Sequence, residues 1–309
     1  MINLLYVLDE NYNLPLLSSI TSLLENLTTK VSIYVIHKNK ETFEHKEILQ
    51  TRYKNLIDFE IFQFDEQISD FKAISSKFIK DQHYTEATYY KIFLSDYIPA
   101  DVEEILYIDP DVICINNPSE LIEECFTNIR NREYIAANTH AIKNESNKEL
   151  FDRLKMDTKY FNAGVMFINL KYWREEKINI KILNFYAKNY KKIVWADQDL
   201  LNAFFNGKYH EIPDSLNFPI SSSNHDSLDK NEILENKYFL HFIGKDKPWD
   251  MKGISRLPNF YEIYQNNFKL LKINKLHLNK NKSFSDFVNL IKSDILFKKK
   301  IIIILNYFR

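Results

Sequence analysis

Short apolar segments alternate with helix-like segments through the first part of this 309-residue chain. Residues 2–8, 31–36 and 59–64 are strand-like runs. Between them, apolar residues recur at helical spacing over 15–27, and residues 43–53 are also helix-like. Three β–α units in succession predict a parallel sheet with helices on its faces, which is an α/β fold.

The same pattern continues to about residue 205. It predicts further helices over 85–97, 172–190 and 197–205, and further strands over 105–108, 134–137 and 165–168. No internal repeat and no linker rich in Pro, Gly or Ser interrupts it. Beyond about residue 270 the alternation stops, so we expect one α/β domain over residues 1–268 and a basic, helical C-terminal appendage over 269–309.

Glycine and cysteine are scarce, with four and two residues respectively. No two glycines lie within five residues of each other, which excludes both a GxGxxG turn and a Walker A loop. A nucleotide would therefore have to be held without a glycine-rich phosphate loop. Cys114 and Cys125 are too few for a disulfide framework, and Cys114 lies in an apolar run typical of a buried thiol.

An Asp-Pro-Asp sequence follows the apolar segment at 105–108. Asp109 and Asp111 therefore lie at the carboxyl end of a predicted buried strand, where open α/β sheets place their ligands. In a straight strand the two side chains would point to opposite faces, so they can share an ion only if Pro110 introduces a turn. Carboxylates suit Mn²⁺ or Mg²⁺, which would also bind a diphosphate. The alternative is a solvated strand end without a ligand.

A similar Asp-x-Asp sequence occurs in haloacid dehalogenase-like phosphatases, in which the first aspartate is a nucleophile. Those enzymes carry it after the first strand and need a downstream acidic pair. In this chain several β–α units precede Asp109, Ile113 occupies the fifth position, and no Asp-Asp or Gly-Asp pair occurs. A phosphatase is therefore an alternative with less support.

A second candidate cluster runs from His241 to Trp249. Gly244 would allow close approach of the backbone, and Lys247 is a cation suited to phosphate. An imidazole with two carboxylates is an acceptable ligand set for Mn²⁺ and a less natural one for Mg²⁺. The alternative is that His241 is a hydrogen-bonded core residue and that Trp249 only packs the loop.

Two further sequences place polar residues beside buried segments. Asp197 and Gln198 precede a helical segment, where Asp197 alone would be explained as a helix cap. Asn162 is followed by Ala163, Gly164 and a buried strand. These small residues would let a ligand approach the main chain, although a tight turn explains the same residues.

Taken together, these motifs resemble glycosyltransferase family 8, in particular its bacterial lipooligosaccharide α-galactosyltransferases and lipopolysaccharide glucosyltransferases. The motifs, in the family's order over residues 1–265, are Asp9 with Asn11-Tyr12, Thr88-Tyr89-Tyr90-Lys91, Asp109-Pro110-Asp111, Asn162-Ala163-Gly164-Val165, Asp197-Gln198-Asp199, and His241 through Trp249. The resemblance implies a GT-A nucleotide-diphospho-sugar transferase fold, a Rossmann-like mixed sheet flanked by helices. Residues 1–268 would form the catalytic domain.

The resemblance also implies roles for individual residues, beginning with the metal and the nucleotide. Asp109, Asp111 and His241 would bind Mn²⁺, with Mg²⁺ as the alternative, and the ion would bridge the diphosphate of a UDP-hexose donor. The uridine would be held by Asp9, Asn11 and Tyr12, and the phosphates by Gly244 and Lys247. The donor sugar would be contacted by Lys91, Asn162, Asp197 and Gln198, and His83 would lie near the acceptor pocket. The catalytic residues would be Gln198, Asp197, Asp109 and Asp111.

The family is classed as retaining, but the resemblance places no carboxylate securely as a nucleophile. Gln198 lies nearest the reacting face, and internal return is the alternative to a covalent intermediate. Lys91 stands where arginine is usual, and His140, or Asn138 after a short loop shift, stands where the galactosyltransferases have aspartate. Galactose is favoured slightly over glucose. A non-catalytic UDP-sugar-binding or scaffold relative is the second hypothesis, against which the intact metal ligands argue.

The C-terminal residues 269–309 contain ten Lys or Arg and two Asp. Apolar residues at helical spacing precede Lys298-Lys299-Lys300, which predicts an interfacial anchor on an anionic membrane. The alternatives are a basic helix packed on the body and a disordered end. We expect a cytoplasmic enzyme on the inner face of the inner membrane, where a glycan or lipid-linked acceptor is found. No nucleic-acid partner is expected, because no aromatic surface motif accompanies the charge.

Overall fold

The computed structural model describes residues 1–75, 85–130, 133–221, 229–250, 253–254, 257–273 and 288. The strands are β1 (Ile2–Leu8), β2 (Val31–His37), β3 (Leu56–Gln63), β4 (Glu104–Ile108), β5 (Val112–Cys114), β6 (Ile135–Ile142), β7 (Lys159–Asn169), β8 (His210–Glu211), β9 (Phe218–Ile220) and β10 (Phe239–Phe242). The helices are α1 (Asn13–Asn26), α2 (Lys46–Arg52), α3 (Ser69–Ser75), α4 (Leu94–Tyr97), α5 (Ser119–Ile129), α6 (Lys148–Leu154), α7 (Leu170–Glu175), α8 (Ile178–Asn189), α9 (Ala196–Phe205), α10 (Lys230–Asn236) and α11 (Pro258–Leu270). Short 3-10 helices lie at Glu10–Tyr12, Lys40–Thr42, Glu86–Phe93, Glu145–Asn147, Tyr190–Lys192 and Asp214–Leu216.

Seven of the described strands form one mixed sheet in the order β3-β2-β1-β4-β7-β6-β8. The first four strands in this order, β3, β2, β1 and β4, are parallel, as the β–α alternation predicts. The prediction of a parallel sheet is wrong for β7, which runs antiparallel to both β4 and β6. The mixed sheet that the family resemblance implies is therefore confirmed. Ile108, the last residue of β4, pairs with Val165, so the residues of β7 that precede Val165 lie at the carboxyl end of β4.

A smaller sheet lies at that same end, in the order β5-β10-β9. Strand β5 follows β4 after a turn and pairs antiparallel with β10, which pairs parallel with β9. The small sheet therefore carries residues 239–242 to the end of β4.

Both faces of the main sheet are buried. Leu4 and Tyr6 belong to one apolar core and Leu5 and Val7 to the other, which explains why β1 is apolar throughout. Helices α1 and α11 contribute to the first core, and α7, α8 and α9 to the second. Cys114 and Cys125 are free and buried in the first core, as expected for Cys114.

Two predicted helices differ from the structure. The single helix predicted over 172–190 is two helices, α7 and α8, because Lys177 adopts a left-handed conformation with φ of 51°. The helix predicted over 85–97 is mostly 3-10 and becomes α-helical only at Leu94. Periodicity does not distinguish a 3-10 helix from an α-helix, because residues three apart share a face in both, and it does not detect a single residue with positive φ.

Helix α11 packs against α1. The hydroxyl of Ser18 donates to the carbonyl oxygen of Tyr264 (3.1 Å), and Nδ2 of Asn267 donates to that hydroxyl (3.0 Å). The predicted domain boundary at 268 lies two residues before α11 ends. Most of the predicted basic appendage lies outside the described residues. Among the residues described, no helix is both long and apolar enough to span a bilayer.

Candidate active site

The chain turns between β4 and β5, and this turn brings Asp109 and Asp111 together. The N–H of Val112 donates to the carbonyl oxygen of Asp109 (3.1 Å), and the N–H of Asp109 donates to the carbonyl oxygen of Gly164 on β7 (2.7 Å). Pro110 suits the turn because its φ is fixed and it needs no hydrogen bond from N. The predicted turn is confirmed, and both carboxylates face one site.

His241 reaches the same place from β10. This strand runs antiparallel to β5 with His241 opposite Val112, and the N–H of Phe242 donates to the carbonyl oxygen of Asp111 (3.1 Å). Nε2 of His241 lies 3.3 Å from Oδ1 of Asp111 and 3.8 Å from Oδ2 of Asp109. One ligand atom from each of the three side chains lies within 4.8 Å of the others, which suits ligands around one ion.

Three features of this cluster fit a divalent cation. Oδ1 of Asp111 is buried and accepts no hydrogen bond from the described part of the chain. A β-carbon on Gly164 would overlap Cε1 of His241 and lie 2.9 Å from Oδ2 of Asp109, so glycine keeps the space between the ligands open. Two carboxylates and an imidazole are donors that Mn²⁺ accepts. The residues therefore form a possible metal site.

Lys247 supplies a mostly buried positive charge beside this cluster, with 14% of its side chain exposed. Its Nζ donates to Oδ2 of Asp111 (2.5 Å) and to the carbonyl oxygen of Phe242 (2.6 Å). Burial lowers the pKa of Lys247, but Asp111 and Tyr12 raise it, and the pKa lies above its usual value. Burial raises the pKa of Asp111, but Lys247 and His241 outweigh that effect and hold the pKa well below its usual range. Both partners are therefore charged at neutral pH.

A second lysine, Lys91, is buried and contacts Asp109 and Asp197. Its Nζ donates to Oδ2 of Asp197 (2.6 Å), lies 3.6 Å from Oδ1 of Asp109 and is 4.1 Å from the centre of the Tyr107 ring. The hydroxyl of Tyr107 donates to Asp109, and that of Thr88 donates to Asp197. Burial lowers the pKa of Lys91, but the two aspartates raise it above its usual value. Lys91 is therefore a fixed cation between the Asp109–Asp111–His241 cluster and α9.

Helix α9 supplies side chains that form hydrogen bonds to the backbone of β7. Residues 162–164 have no partner in the described strand registers, which resume on either side. Oε1 of Gln198 accepts from the N–H of Ala163 (3.1 Å), and its Nε2 donates to the hydroxyl of Tyr160 (3.2 Å). Asn202 accepts from the N–H of Phe161 (2.7 Å) and donates to its carbonyl oxygen (2.8 Å). Gln198 is thereby held beside residues 160–163, in the first half of β7.

The two aspartates of the Asp-Gln-Asp motif have different surroundings. Asp197 faces Lys91, whereas Asp199 is completely buried and fixes the start of α9. Oδ2 of Asp199 accepts from Nη1 of Arg153 (2.6 Å) and from the N–H groups of residues 194 and 195, and Oδ1 accepts from Tyr160 (2.9 Å). These bonds support Ala196, whose φ of 46° is unusual for a residue with a β-carbon.

The residues predicted to hold uridine lie at the end of β1. Because β1 and β4 are adjacent and parallel, their carboxyl ends share one edge of the sheet. Oδ1 of the buried Asp9 accepts from the N–H of Asn11 (3.0 Å), and the ring of Tyr12 lies edge-on to Trp249 with 5.9 Å between ring centres. Burial raises the pKa of Tyr12 to about 12, with Lys247 acting against the rise. The predicted uridine residues thus adjoin the predicted phosphate residue.

The other predicted residues vary in what can be said of them. Gly244 has φ of 78°, a conformation that favours glycine, and a β-carbon there would meet nothing within 4 Å. Asn162 lies between the ladders of β7, and its Oδ1 accepts from the N–H of Gly164 (2.9 Å). His83 lies outside the described residues, so its place near an acceptor stays a prediction.

Sequence reasoning missed two residues that contact the site. Tyr107 bonds Asp109, although the pattern counts it only as an apolar strand residue. Asn217 bonds the ring of His241, with its Oδ1 2.9 Å from Nδ1. Its one signal in the sequence is a polar residue directly before a short apolar segment, which does not indicate what the side chain contacts.

The chain matches the family model described as glycosyl transferase family 8 over residues 3–253. It is 28% identical over 276 residues to lipopolysaccharide 1,2-glucosyltransferase of Escherichia coli, which covers 85% of this chain and 77% of that protein. It is 26% identical over 270 residues to lipopolysaccharide 1,3-galactosyltransferase of Salmonella typhimurium, covering 84% of this chain and 76% of that protein.

Among solved structures, the fold is similar to that of the galactosyltransferase LgtC in complex with donor and acceptor sugar analogues. The TM-score is 0.67 at 17% sequence identity, and the match covers 92% of this chain and 100% of that one. At this level of identity the likeness concerns the fold, which is the GT-A fold that the motifs imply.

Proposed function

This chain belongs to glycosyl transferase family 8 and is a glycosyltransferase, and we propose that it moves a hexose from a UDP-sugar to a cell-surface glycan of the lipopolysaccharide type. The names of the relatives from E. coli and S. typhimurium support this class of acceptor. The convergence of Asp109, Asp111 and His241 carries the proposal, because a UDP-sugar transferase needs charge compensation at the leaving diphosphate. The family match removes support from the phosphatase alternative.

We propose Mn²⁺ as the cofactor, held by Asp109, Asp111 and His241. Mg²⁺ fits less well, because an imidazole ligand suits Mn²⁺ better than the harder Mg²⁺. When bound, such an ion would neutralise negative charge on the UDP leaving group. Lys247 would add a second positive charge, since its Nζ already lies beside Asp111 and can donate to a phosphate oxygen. The main chain at Gly244 would approach the same phosphates.

At the other end of the donor, Asp9, Asn11 and Tyr12 would hold the uridine. Asp9 fixes the backbone of Asn11, and the ring of Tyr12 would offer a face for the base. The order of these residues along one sheet edge supports a donor that extends from the end of β1 to the end of β4.

The donor sugar would lie against Lys91, Asn162, Asp197 and Gln198. The ion pair between Lys91 and Asp197 presents acceptor and donor groups for sugar hydroxyls in a buried setting. The amide of Gln198 is oriented by Ala163 and Tyr160, which supports a role in positioning the reacting face rather than as a nucleophile. We propose retention of configuration, with internal return rather than a covalent adduct on Gln198.

The location of the enzyme is part of the proposal. Residues 269–309 carry ten basic and two acidic side chains, which supports peripheral binding to the anionic, cytoplasmic face of the inner membrane. A lipid-linked acceptor would be reached there. Co-sedimentation of the full chain with vesicles containing anionic lipid, compared with neutral vesicles, tests this part independently of activity.

Release of UDP from UDP-galactose and UDP-glucose, measured in parallel with Mn²⁺, tests the proposed activity. We expect release from one donor in preference to the other, with galactose the first candidate, and loss of release in Asp111→Asn. Equal activity of Asp111→Asn at saturating donor would contradict the proposed role of the metal cluster. No release from either donor, together with Mn²⁺-dependent binding of UDP, would favour the non-catalytic UDP-sugar-binding alternative.

A further inference from the structure

Asn217 is a fully buried polar residue that lies between the two sides of the candidate site. It directly precedes β9, and its exposed fraction is 2%. Its Oδ1 lies 2.9 Å from Nδ1 of His241, and its Nδ2 donates to Oδ1 of Asn162 (3.0 Å). One side chain therefore contacts a candidate metal ligand and a candidate donor-sugar residue.

The direction of these hydrogen bonds follows from a backbone group. Oδ1 of Asn162 accepts from the N–H of Gly164 (2.9 Å), and a backbone N–H can only donate. The atom of Asn162 in this contact is therefore its oxygen, and Asn217 must turn its NH₂ group towards it. The oxygen of Asn217 is left to face His241, where it can only accept.

This direction determines which nitrogen of His241 carries the proton. Since Oδ1 of Asn217 accepts, Nδ1 of His241 donates, and in the neutral ring Nε2 keeps its lone pair. That lone pair faces the carboxylates, 3.3 Å from Oδ1 of Asp111. A neutral Nε2 cannot donate to a carboxylate, so this tautomer suits a cation between them.

The same hydrogen bonds also connect Asn217 to Asp109, a second candidate metal ligand. Gly164 donates to Asn162 and, through its carbonyl oxygen, accepts from the N–H of Asp109 (2.7 Å). Asn217 thus connects His241 to Asp109 through Asn162 and Gly164. It also commits the oxygen of Asn162 to the protein, which leaves only the NH₂ group of Asn162 for a ligand.

We infer that Asn217 is a positioning residue for the proposed transfer reaction. It holds His241 in the metal-binding tautomer with its Oδ1 and orients Asn162 towards the donor with its Nδ2. The inference rests on the proposed function, in that Asp109, Asp111 and His241 are taken to bind a divalent ion. Asn217 would act through His241 and Asn162, which it contacts, rather than as a ligand itself.

Binding of Mn²⁺ alone to the full chain, followed by the electron paramagnetic resonance signal of free Mn²⁺, tests the first task without turnover. Asn217→Leu keeps the size of the side chain and removes both hydrogen bonds. We expect Mn²⁺ to bind on the order of 10–100-fold more weakly, the usual effect of losing such a supporting contact. Asn217→Asp still accepts from Nδ1, so its Mn²⁺ affinity should equal or exceed that of the wild type.

Asn116→Leu is the matched control for loss of a buried amide. Nδ2 of Asn116 donates to the carbonyl oxygens of Leu234 (2.8 Å) and Lys237 (2.6 Å), outside the metal cluster. Asn116→Leu should destabilise the protein without changing Mn²⁺ affinity. Unchanged Mn²⁺ binding in a folded Asn217→Leu protein, or weaker binding in Asn217→Asp, would overturn the inference.

The tautomer can be read in the wild-type protein even if Asn217→Leu does not fold. A long-range ¹H–¹⁵N correlation spectrum of the neutral ring should show His241 protonated at Nδ1, and a ring protonated at Nε2 would contradict the inference. If the wild-type protein binds Mn²⁺ but the tautomer of His241 or the affinities of the variants differ from these expectations, only the role of Asn217 is wrong. Failure of the wild type to bind Mn²⁺ would contradict the proposed function and this inference together.

Discussion

Gly164 and His241 lie so close together that no side chain can be accommodated at position 164. A β-carbon built there would overlap Cε1 of the imidazole and lie 2.8 Å from its Nδ1. Gly164 belongs to β7 and His241 to β10, so the contact joins the main sheet to the small sheet. The small residue after Asn162-Ala163 is therefore explained by the closeness of His241 on another strand, not by a tight turn.

Gly164→Ala should consequently displace His241 or Asp109. We expect Mn²⁺ binding to weaken by at least about tenfold and the free energy of unfolding to fall by about 1–3 kcal/mol, the usual cost of overpacking. Titration with Mn²⁺ and urea denaturation measure the two effects. Gly244→Ala is a useful contrast, because its φ of 78° strains the variant but its β-carbon would meet nothing within 4 Å. Equal loss of Mn²⁺ binding in both variants would contradict the steric explanation.

Lys91→Met should strongly destabilise the protein, because it leaves Asp197 buried without its cation. The two side chains are 3% and 8% exposed, with 2.6 Å between Nζ and Oδ2. Removal of one partner from such a pair costs about 3–5 kcal/mol. Chemical denaturation at neutral pH measures the change. Lys181→Met, which breaks an exposed pair with Glu176, should leave the denaturation midpoint unchanged. A denaturation midpoint of Lys91→Met equal to that of the wild type would show that the buried pair contributes little to stability.

Asp199→Asn should affect stability rather than metal binding. Its carboxylate accepts from Arg153, Tyr160 and two backbone N–H groups, and it is completely buried. We expect the free energy of unfolding to fall by about 3 kcal/mol, as for other broken buried pairs. Mn²⁺ affinity of the folded variant should match the wild type. Selective loss of Mn²⁺ binding at full stability would instead place Asp199 in the metal site.

The pair between Asp111 and Lys247 predicts a specific loss of stability in acid when metal is chelated. Burial alone would raise the pKa of Asp111, but Lys247 and His241 lower it in the folded state. A lowered folded-state pKa contributes stability above the unfolded value of about 4, and the contribution is lost as pH falls below that value towards the folded pKa. The difference in unfolding free energy between the wild type and Asp111→Asn should therefore shrink as pH falls from 5 towards about 2.

Urea denaturation of both proteins in the presence of chelator measures this difference. Asp58→Asn serves as a control for removing a carboxylate from another strand of the main sheet. A difference between wild type and Asp111→Asn that stays constant with pH, or that grows in acid, would contradict the stabilising effect assigned to Lys247.

The sequence was sufficient for the features that depend on local pattern. The apolar run of β1 and the helical spacing in α1 follow directly from burial, and the turn at Asp109-Pro110-Asp111 follows from proline geometry. The break at Lys177 was missed because periodicity does not detect one residue with positive φ. Likewise, the β–α pattern does not reveal that β7 enters antiparallel beside β4.

Contacts between residues far apart in the chain were harder to predict. Lys91 and Asp197 are separated by 106 positions, and the resemblance assigned both to the donor sugar without indicating that they pair with each other. Asn217 and His241 are separated by 24 positions, and Asn217 directly precedes β9 whereas His241 lies on β10. The contact between Asn217 and His241 depends on the register of the small sheet, which brings β9 and β10 together. A single sequence carries no direct signal of that register.

The most direct test of the central claim is a calorimetric titration of the wild-type chain with UDP, with Mn²⁺ and then with chelator. Binding of UDP through a metal held by Asp109, Asp111 and His241 predicts a measurable affinity that requires Mn²⁺ and is lost in Asp111→Asn. The same affinity for UDP with chelator as with Mn²⁺, retained in Asp111→Asn, would contradict the account.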